Sequence, residues 1–588
     1  MDLTTRLRED GEMVTQRLGH WATIAGDRPF FHYGEDGVTL TYADFAGRTD
    51  AVAGNLATNG VAKGDRVSVF CANPMVSALA MFGTWKAGAL YCPVNFAFTG
   101  RLLAYQLTDT APRLIVTEPR LLPALNAVAA SLPGSPRVVV YEAPPGAHDH
   151  ARERDASVLP ELPWAALATD AAAPQVHVAF DDPANIVYTS GTTGPAKGVV
   201  QPYRWMAQYT RGLRRLITSD DVIYNDLPMY HVGGAIANVA RAAWAGCEAA
   251  VWDRFSPSAF WDRIGSRQAT AAILLDVMIP WLIKAHESPN DRRNTLNKVH
   301  MQPLPQHHAD VARRFGFDFV TAGFGQTESG APLWGLIEET AQAEGTPRDL
   351  YRGLTHAEVR EVAARDGIPV LGGGAATRKG FMGLPTPFVD ATVLNDHDEE
   401  CPAEQPGQLA FRPKLPALLL TEYLGKPQAT VAAFRNLWFH TGDAAVRDAG
   451  GYFYFIDRLG DRIRVRGENL SSFQVEDVLN QHPDIRFCAV LPIPGKEGGE
   501  DDIVAYVVPD SAALTEEAVL AYAAEAMPGT CVPLTSGSST TSPAHPPARW
   551  KVQTAGPDPH RTGDLTTVVT RTSPPKPPLA MGSGQPSR

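Results

Sequence analysis

The chain has 588 residues, 44% of them hydrophobic, enough to bury a real core and too many for a wholly disordered polymer or a small disulfide-stapled fold. Its 52 basic and 64 acidic residues leave a net charge of −12, so nucleic acid is not expected as a partner, although a local phosphate pocket stays open. Cys71, Cys92, Cys247, Cys401, Cys488 and Cys531 form no Cys-x-x-Cys pair, the N-terminus carries acids where a leader needs bases, and no uninterrupted apolar run reaches ~18 residues. A cytoplasmic enzyme without zinc framework or membrane span is expected.

From about residue 20 to 340 short apolar runs alternate with amphipathic stretches, the pattern of parallel sheets covered by helices. Arg66 to Phe70, Val76 to Lys86 and Leu90 to Pro93 read as strand, helix and strand, and Leu114 to Thr117 and Val138 to Tyr141 as further buried strands. Residues 142 to 175 lack periodicity and read as a surface connection. Ile186 to Thr189 is a strand that runs into a Gly-rich turn, and Leu336 to Lys379 is partly helical by pattern. A smaller unit opens near Asp457, with strands at Asp461 to Arg466, Phe487 to Ile493 and Ile503 to Val508 and a helix at Ser472 to Gln481.

Tyr188-Thr189-Ser190-Gly191-Thr192-Thr193-Gly194-Pro195-Ala196-Lys197-Gly198 carries the strongest chemical signal. Glycines let backbone N–H groups approach an anion, the hydroxyls add donors, and the lysine brings a point charge, so the loop suits a polyphosphate. A Walker A loop needs Ser or Thr after its lysine, whereas Lys197 is followed by Gly198.

This loop resembles that of the adenylate-forming superfamily, which comprises acyl-CoA synthetases, adenylation domains and luciferases, and other motifs follow in that family's order. Phe324-Gly325-Gln326-Thr327-Glu328 is similar to the segment in which the aromatic stacks near adenine, the Thr meets the α-phosphate and the Glu holds Mg²⁺. Thr441-Gly442-Asp443 resembles the motif whose Asp accepts both ribose hydroxyls, a task suited to a carboxylate. Asp457-Arg458 matches the family's domain junction, with Arg458 near the nucleotide. Gly460 stands at the hinge position where the family often has Lys or Asp. Gly467 in Gly467-Glu468-Asn469 is implied to lie against pantetheine in thioester formation, and His231 in Pro228-Met229-Tyr230-His231 to gate the acyl site. Met301-Gln302-Pro303-Leu304-Pro305 departs from the Gly-Ala-Pro expected before the adenine strand.

The resemblance covers residues 20 to 528 and leans toward ligases like those of carnitine and crotonobetaine. It implies an α/β fold: a large N-terminal domain of helix-covered parallel sheets plus a small barrel (1–457), then a small mobile α+β domain (458–528). The implied activity is ATP-dependent acyl-CoA ligation with ATP, Mg²⁺ and coenzyme A. A stand-alone adenylation enzyme loading a carrier protein, or a degenerate homologue, are the alternatives.

Residues 529–588 break with this pattern: 11 of the 48 prolines, two acids and six bases give +4, against −16 for the preceding 528 residues. Such composition predicts a disordered tail. The family's adenylation lysine, in Pro-x-Thr-x-x-Gly-Lys, is missing from it. Back-translating Pro543 to Lys551 and shifting the frame yields Arg-Thr-Pro-Thr-Gly-Lys-Val-Glu, so a frameshift near Pro528 is expected, with adenylation severely slowed.

Overall fold

The computed structural model describes residues 2–11, 13–189, 195–275, 278–305, 307–373, 378, 380–458, 462–465, 468–471, 475, 478–479, 482–494, 501–509, 514–527 and 550–554. Two sheets organise the bulk of these residues. The first has eight strands in the order Glu422–Tyr423, Lys197–Pro202, Pro183–Thr189, Leu90–Pro93, Arg66–Phe70, Leu114–Thr117, Arg137–Val140 and Glu161–Pro163. All pair parallel except the hairpin of Pro183–Thr189 with Lys197–Pro202 and the antiparallel edge strand Glu422–Tyr423. Leu90–Pro93 and Leu114–Thr117 are buried throughout, as parallel strands covered on both faces must be.

The second sheet has fourteen strands. Its parallel part comprises Pro29–Tyr33, Glu248–Val251, Val222–Asn225, Ala271–Leu275, Lys298–Gln302 and Phe319–Gln326. From Gly330–Glu338 it continues antiparallel through Phe381–Pro385, Phe453–Arg458, Phe439–Arg447, Gly407–Pro413 and Val389–Leu394. The expected small barrel corresponds to this antiparallel run, which stays bonded to the parallel part where Trp334 faces Leu384.

Helix Pro74–Lys86 packs on Tyr42–Thr58. It opens two residues earlier than the apolar pattern predicts, because Asn73 accepts from the N–H groups of Met75 and Val76 and Pro74 supplies the first helical φ. Every residue from Val76 to Trp85 is buried, so the helix has no solvent face and lies within the core with Phe30, Phe45 and Trp205.

The aperiodic segment 142–175 holds a short strand, Glu161–Pro163, which joins the sheet edge beside Arg137–Val140. The Leu336–Lys379 stretch divides into the end of strand Gly330–Glu338, helix His356–Arg365 and the short strand Val370–Gly372. In the small unit Ile485–Pro494 pairs antiparallel with Asp501–Pro509, and helix Glu516–Ala526 adds Val519 and Ala523 to a cluster with Val475, Leu479 and Val507. Where composition predicts a disordered tail, Trp550–Thr554 forms a strand parallel to Asp501–Pro509: Lys551-Val552 can satisfy the open edge at Val504 and Ala505. Among the described residues no helix is long and apolar enough to cross a membrane.

Candidate functional site

The hairpin that carries the Gly-rich loop is braced by helix Gly100–Thr110. Thr189 pairs with Lys197 and Tyr188 with Gly198, which fixes the ends of the loop, while Ser190, Gly191, Thr192, Thr193 and Gly194 lie outside the described residues. The Tyr188 hydroxyl donates to Asp109 at 2.6 Å, and Lys426 pairs with the same carboxylate at 2.8 Å. From the same helix, Gly100–Thr110, Tyr105 donates to the Ala196 carbonyl at 2.7 Å. Gly198 sits in a tight place: a Cβ there would stand 3.0 Å from Ile186 Cγ2 and from the Tyr188 ring, so those side chains would have to give way.

Glu328 lies across from this hairpin. Its Oε1 accepts from Thr189 Oγ1 at 3.2 Å and from the Tyr423 hydroxyl at 3.1 Å, while Lys197 Nζ stands 5.0 Å from the Tyr423 ring centroid, in cation–π range. Burial, with the Glu328 charge, holds the Tyr423 phenol far above its ordinary range, so it is a donor at any working pH. The backbone here is pinned as well: Gln201 Nε2 donates to the Thr327 carbonyl at 2.8 Å, and Leu420 N–H donates to the Glu328 carbonyl at 2.8 Å. Phe324 is buried with its ring 5.6 Å from that of Phe411, and Gly325 follows it at the end of the strand.

Gln326 ties this corner to Asp443. Its side-chain amide donates to Asp443 Oδ2 at 2.6 Å and to the Thr441 carbonyl at 3.0 Å, and the Asp443 N–H donates to Thr441 Oγ1 at 3.0 Å. The turn needs Gly442, whose φ of +77° is costly for a residue with a Cβ. Asp443 pairs across the sheet with the backbone of Arg458, whose side chain lies outside the described residues, as do Gly460 and Gly467.

His231 is exposed on the loop ahead of a π-helical stretch, Gly233–Ala240, and its ring lies 4.5 Å from that of Tyr230. π-Helical turns recur at functional sites, and this one brings Gly234 against the carbonyls of Leu227 and Pro228, leaving no room for a side chain. Thr189, Lys197, Thr327 and Glu328 are thus gathered in one corner, linked through Gln326 to Asp443.

Sequence reasoning missed Tyr423, which touches both Glu328 and Lys197, and the braces Asp109 and Lys426. Tyr423 belongs to a two-residue strand paired with Val199 and Val200, too short to leave a periodic signal.

The chain belongs to the AMP-binding enzyme family, whose model matches residues 18–417, and the model of the AMP-binding enzyme C-terminal domain matches 474–535. The second match runs past the composition break at Pro528. Among curated relatives, the crotonobetaine/carnitine–CoA ligase of Salmonella heidelberg (strain SL476) is 27% identical over 509 residues, covering 85% of this chain and 90% of the relative. Among solved structures, o-succinylbenzoate CoA synthetase from Bacillus subtilis has a TM-score of 0.68 at 20% identity, covering 88% of this chain and 93% of the other. A malonyl-CoA ligase with methylmalonyl-CoA and AMP bound has a TM-score of 0.64 at 25% identity, covering 90% and 97%.

Proposed function

We propose that this chain is an ATP-dependent acyl-CoA ligase of the AMP-forming type. A carboxylate oxygen attacks the α-phosphorus of ATP, the bridge to the β-phosphate breaks, and pyrophosphate leaves. The CoA thiolate then attacks the acyl carbon of the mixed anhydride and AMP departs. The observation that carries this reading is the Glu328 corner, where a carboxylate, two hydroxyls and the Lys197 ammonium converge at the ends of a Gly- and hydroxyl-rich loop.

In this reading the loop from Thr189 to Lys197 cradles the phosphates, Thr327 bonds the α-phosphate, Phe324 and Gly325 border the adenine, and Asp443, with Arg458 opposite, receives the ribose. Gln326 aims the Asp443 carboxylate before ATP arrives, so little reorganisation is left to binding. Glu328 would hold Mg²⁺. The residues fit the ion: both hydroxyls fall on Oε1, Oε2 takes no hydrogen bond among the described residues, and a hard oxygen donor is what this ion takes. When bound, the ion neutralises phosphate charge. His231 gates the acyl site and Gly467 meets the pantetheine. A reducing cytoplasm is the proposed setting, supported by buried Cys71, Cys92, Cys247 and Cys401, none of them in a disulfide.

The test supplies ATP, Mg²⁺, a panel of carboxylic acids and either CoA or a holo carrier protein, and follows thioester and AMP by chromatography. The reading expects acyl-CoA with one class of acid. Thioester on the carrier alone would overturn CoA as acceptor, and no thioester from free acid or from synthetic acyl-AMP would overturn the ligase assignment.

A further inference from the structure

We propose that Arg241 recognises a second carboxylate at the far end of the acyl substrate, so that the acid activated here is a dicarboxylic acid. The inference rests on the acyl-adenylate reading above and adds the substrate class to it.

Arg241 follows the π-helical stretch that begins just after His231 and is only 3% exposed. Its Nη2 donates to Asn238 Oδ1 at 3.2 Å, and Asn238 is in turn held by Asn225 at 2.8 Å. Among the described residues its Nε has no hydrogen-bond partner and no carboxylate forms an ion pair with it. Asp221, the carboxylate whose charge reaches it, is already paired with Lys298 at 2.9 Å. Arg211 and Arg214 are also buried, and each holds a carboxylate, Asp366 and Asp10 respectively. A buried guanidinium left without a counter-charge is costly, and burial pushes Arg241 down to about 10. An anionic group brought by the substrate relieves that cost.

Helix Arg241–Ala245 packs on helix Tyr203–Arg214, whose Tyr209 lies beside Gly325 near the proposed site of adenylation. Tyr209, His300, Gln302 and Gly325 are each half-buried. A Cβ on Gly325 would stand 3.7 Å from both Gln302 Nε2 and Tyr209 Cε2, so these side chains border the backbone two residues from Thr327. Gln302 Oε1 lies 3.0 Å from His300 Nε2, and both Tyr209 and His300 feel the Arg241 charge. Burial, and then Arg241 itself, push His300 down to about 4, and the neutral ring, which also meets Thr321 Oγ1 at 3.0 Å through Nδ1, donates from Nε2 to Gln302 Oε1, leaving the Gln302 amide N–H groups on the side of Gly325. A carboxylate end fits this lining. The quaternary ammonium of a carnitine-like acid is repelled by it, in contrast to what the named curated relative takes.

The test uses the full chain and three acyl-sulfamoyl adenosines of matched chain length, ending in carboxylate, methyl or trimethylammonium, with affinities read by titration calorimetry. We expect the carboxylate-ended probe to bind about 10 to 100-fold more tightly than the methyl-ended one, as a charge-assisted hydrogen bond in a buried site allows. Arg241→Met removes this preference and Arg241→Lys keeps part of it. Equal or tighter binding of the methyl or trimethylammonium probe, or a preference that survives Arg241→Met, overturns the inference. The wild-type ranking decides even where the Met variant does not fold. If none of the three binds, the acyl-adenylate reading itself fails.

Discussion

Glu328 shows how a single carboxylate is aimed by residues far away in the chain. Thr189 lies 139 residues from it and Tyr423 lies 95, yet both hydroxyls converge on the same oxygen. Tyr423 acts twice, since its ring also faces Lys197. Tyr423→Phe separates the two contributions by keeping the ring and deleting the donor. A hydrogen bond to a charged group is worth roughly 1.5–3 kcal/mol, so the variant is expected to lose about 10 to 100-fold in kcat/KM for ATP. Glu328→Gln is expected to lose ~10² to 10³, the order found for a preorganised group at developing charge. Steady-state thioester formation checks both; a fall in Tyr423→Phe as deep as that of Glu328→Gln would show that the phenol touches substrate directly. Gly198→Ala tests the hairpin itself. Its Cβ would press on Tyr188, which Asp109 holds in place, so a loss of about 1–3 kcal/mol in thermal unfolding is expected with little change in KM for the acid.

Among the elements, helix His356–Arg365 offers a pH-dependent joint. It starts with a capping box, Thr355 and Glu358, and its first residue is buried between Glu338, 2.6 Å from Nδ1, and Asp318, 3.0 Å from Nε2. Burial works against the charged ring, but hydrogen bonds to both carboxylates outweigh it, and the His356 pKa is raised above 6.5. The folded state therefore holds its proton more tightly than the unfolded chain. The stabilisation is fully present below the unfolded value of 6.5 and is lost as pH rises through the folded value. His356→Gln is expected to cost roughly 3–5 kcal/mol at about pH 6 and clearly less at about pH 9, read from unfolding curves. An equal cost at both would show a ring that is neutral throughout.

What was legible at this scale follows the range of the signal. The strand before Thr189 and the loop after it are local: an apolar run, then glycines and hydroxyls. The start of helix Pro74–Lys86 was less so, because its cap residue Asn73 carries no apolar periodicity. The pairing of Tyr423 with Val199, the brace of Lys426 on Asp109 and the buried Arg241 left no mark, since each depends on contacts between distant segments or, for Arg241, on the lack of an ion-pair partner among the described residues.

At the scale of the whole molecule, the two half-reactions depend on different parts of the chain. The Glu328 corner and Asp443 belong to the large sheets, whereas the cation that the family resemblance assigns to adenylation would come from beyond the small unit's last helix, Glu516–Ala526. There the chain presents Trp550–Thr554, with Lys551 in register with Val504, in place of a Gly-Lys turn. The C-terminal-domain match ends at residue 535, within a few residues of Pro528, where the change of frame is proposed. With the lysine absent, formation of acyl-AMP from acid and ATP is expected to run ~10² to 10³ slower than in a variant whose tail is rebuilt in the shifted frame. Thioester formation from supplied acyl-AMP is expected to be similar in the two, because the carbonyl is already activated and the cation's task is done. Lys551→Ala is expected to leave the slow first step where it was. Rapid-quench measurement of both half-reactions in the three proteins decides the matter: a native tail that adenylates as fast as the rebuilt one, and loses that rate on Lys551→Ala, would make Lys551 the working cation and remove the argument for a shifted frame.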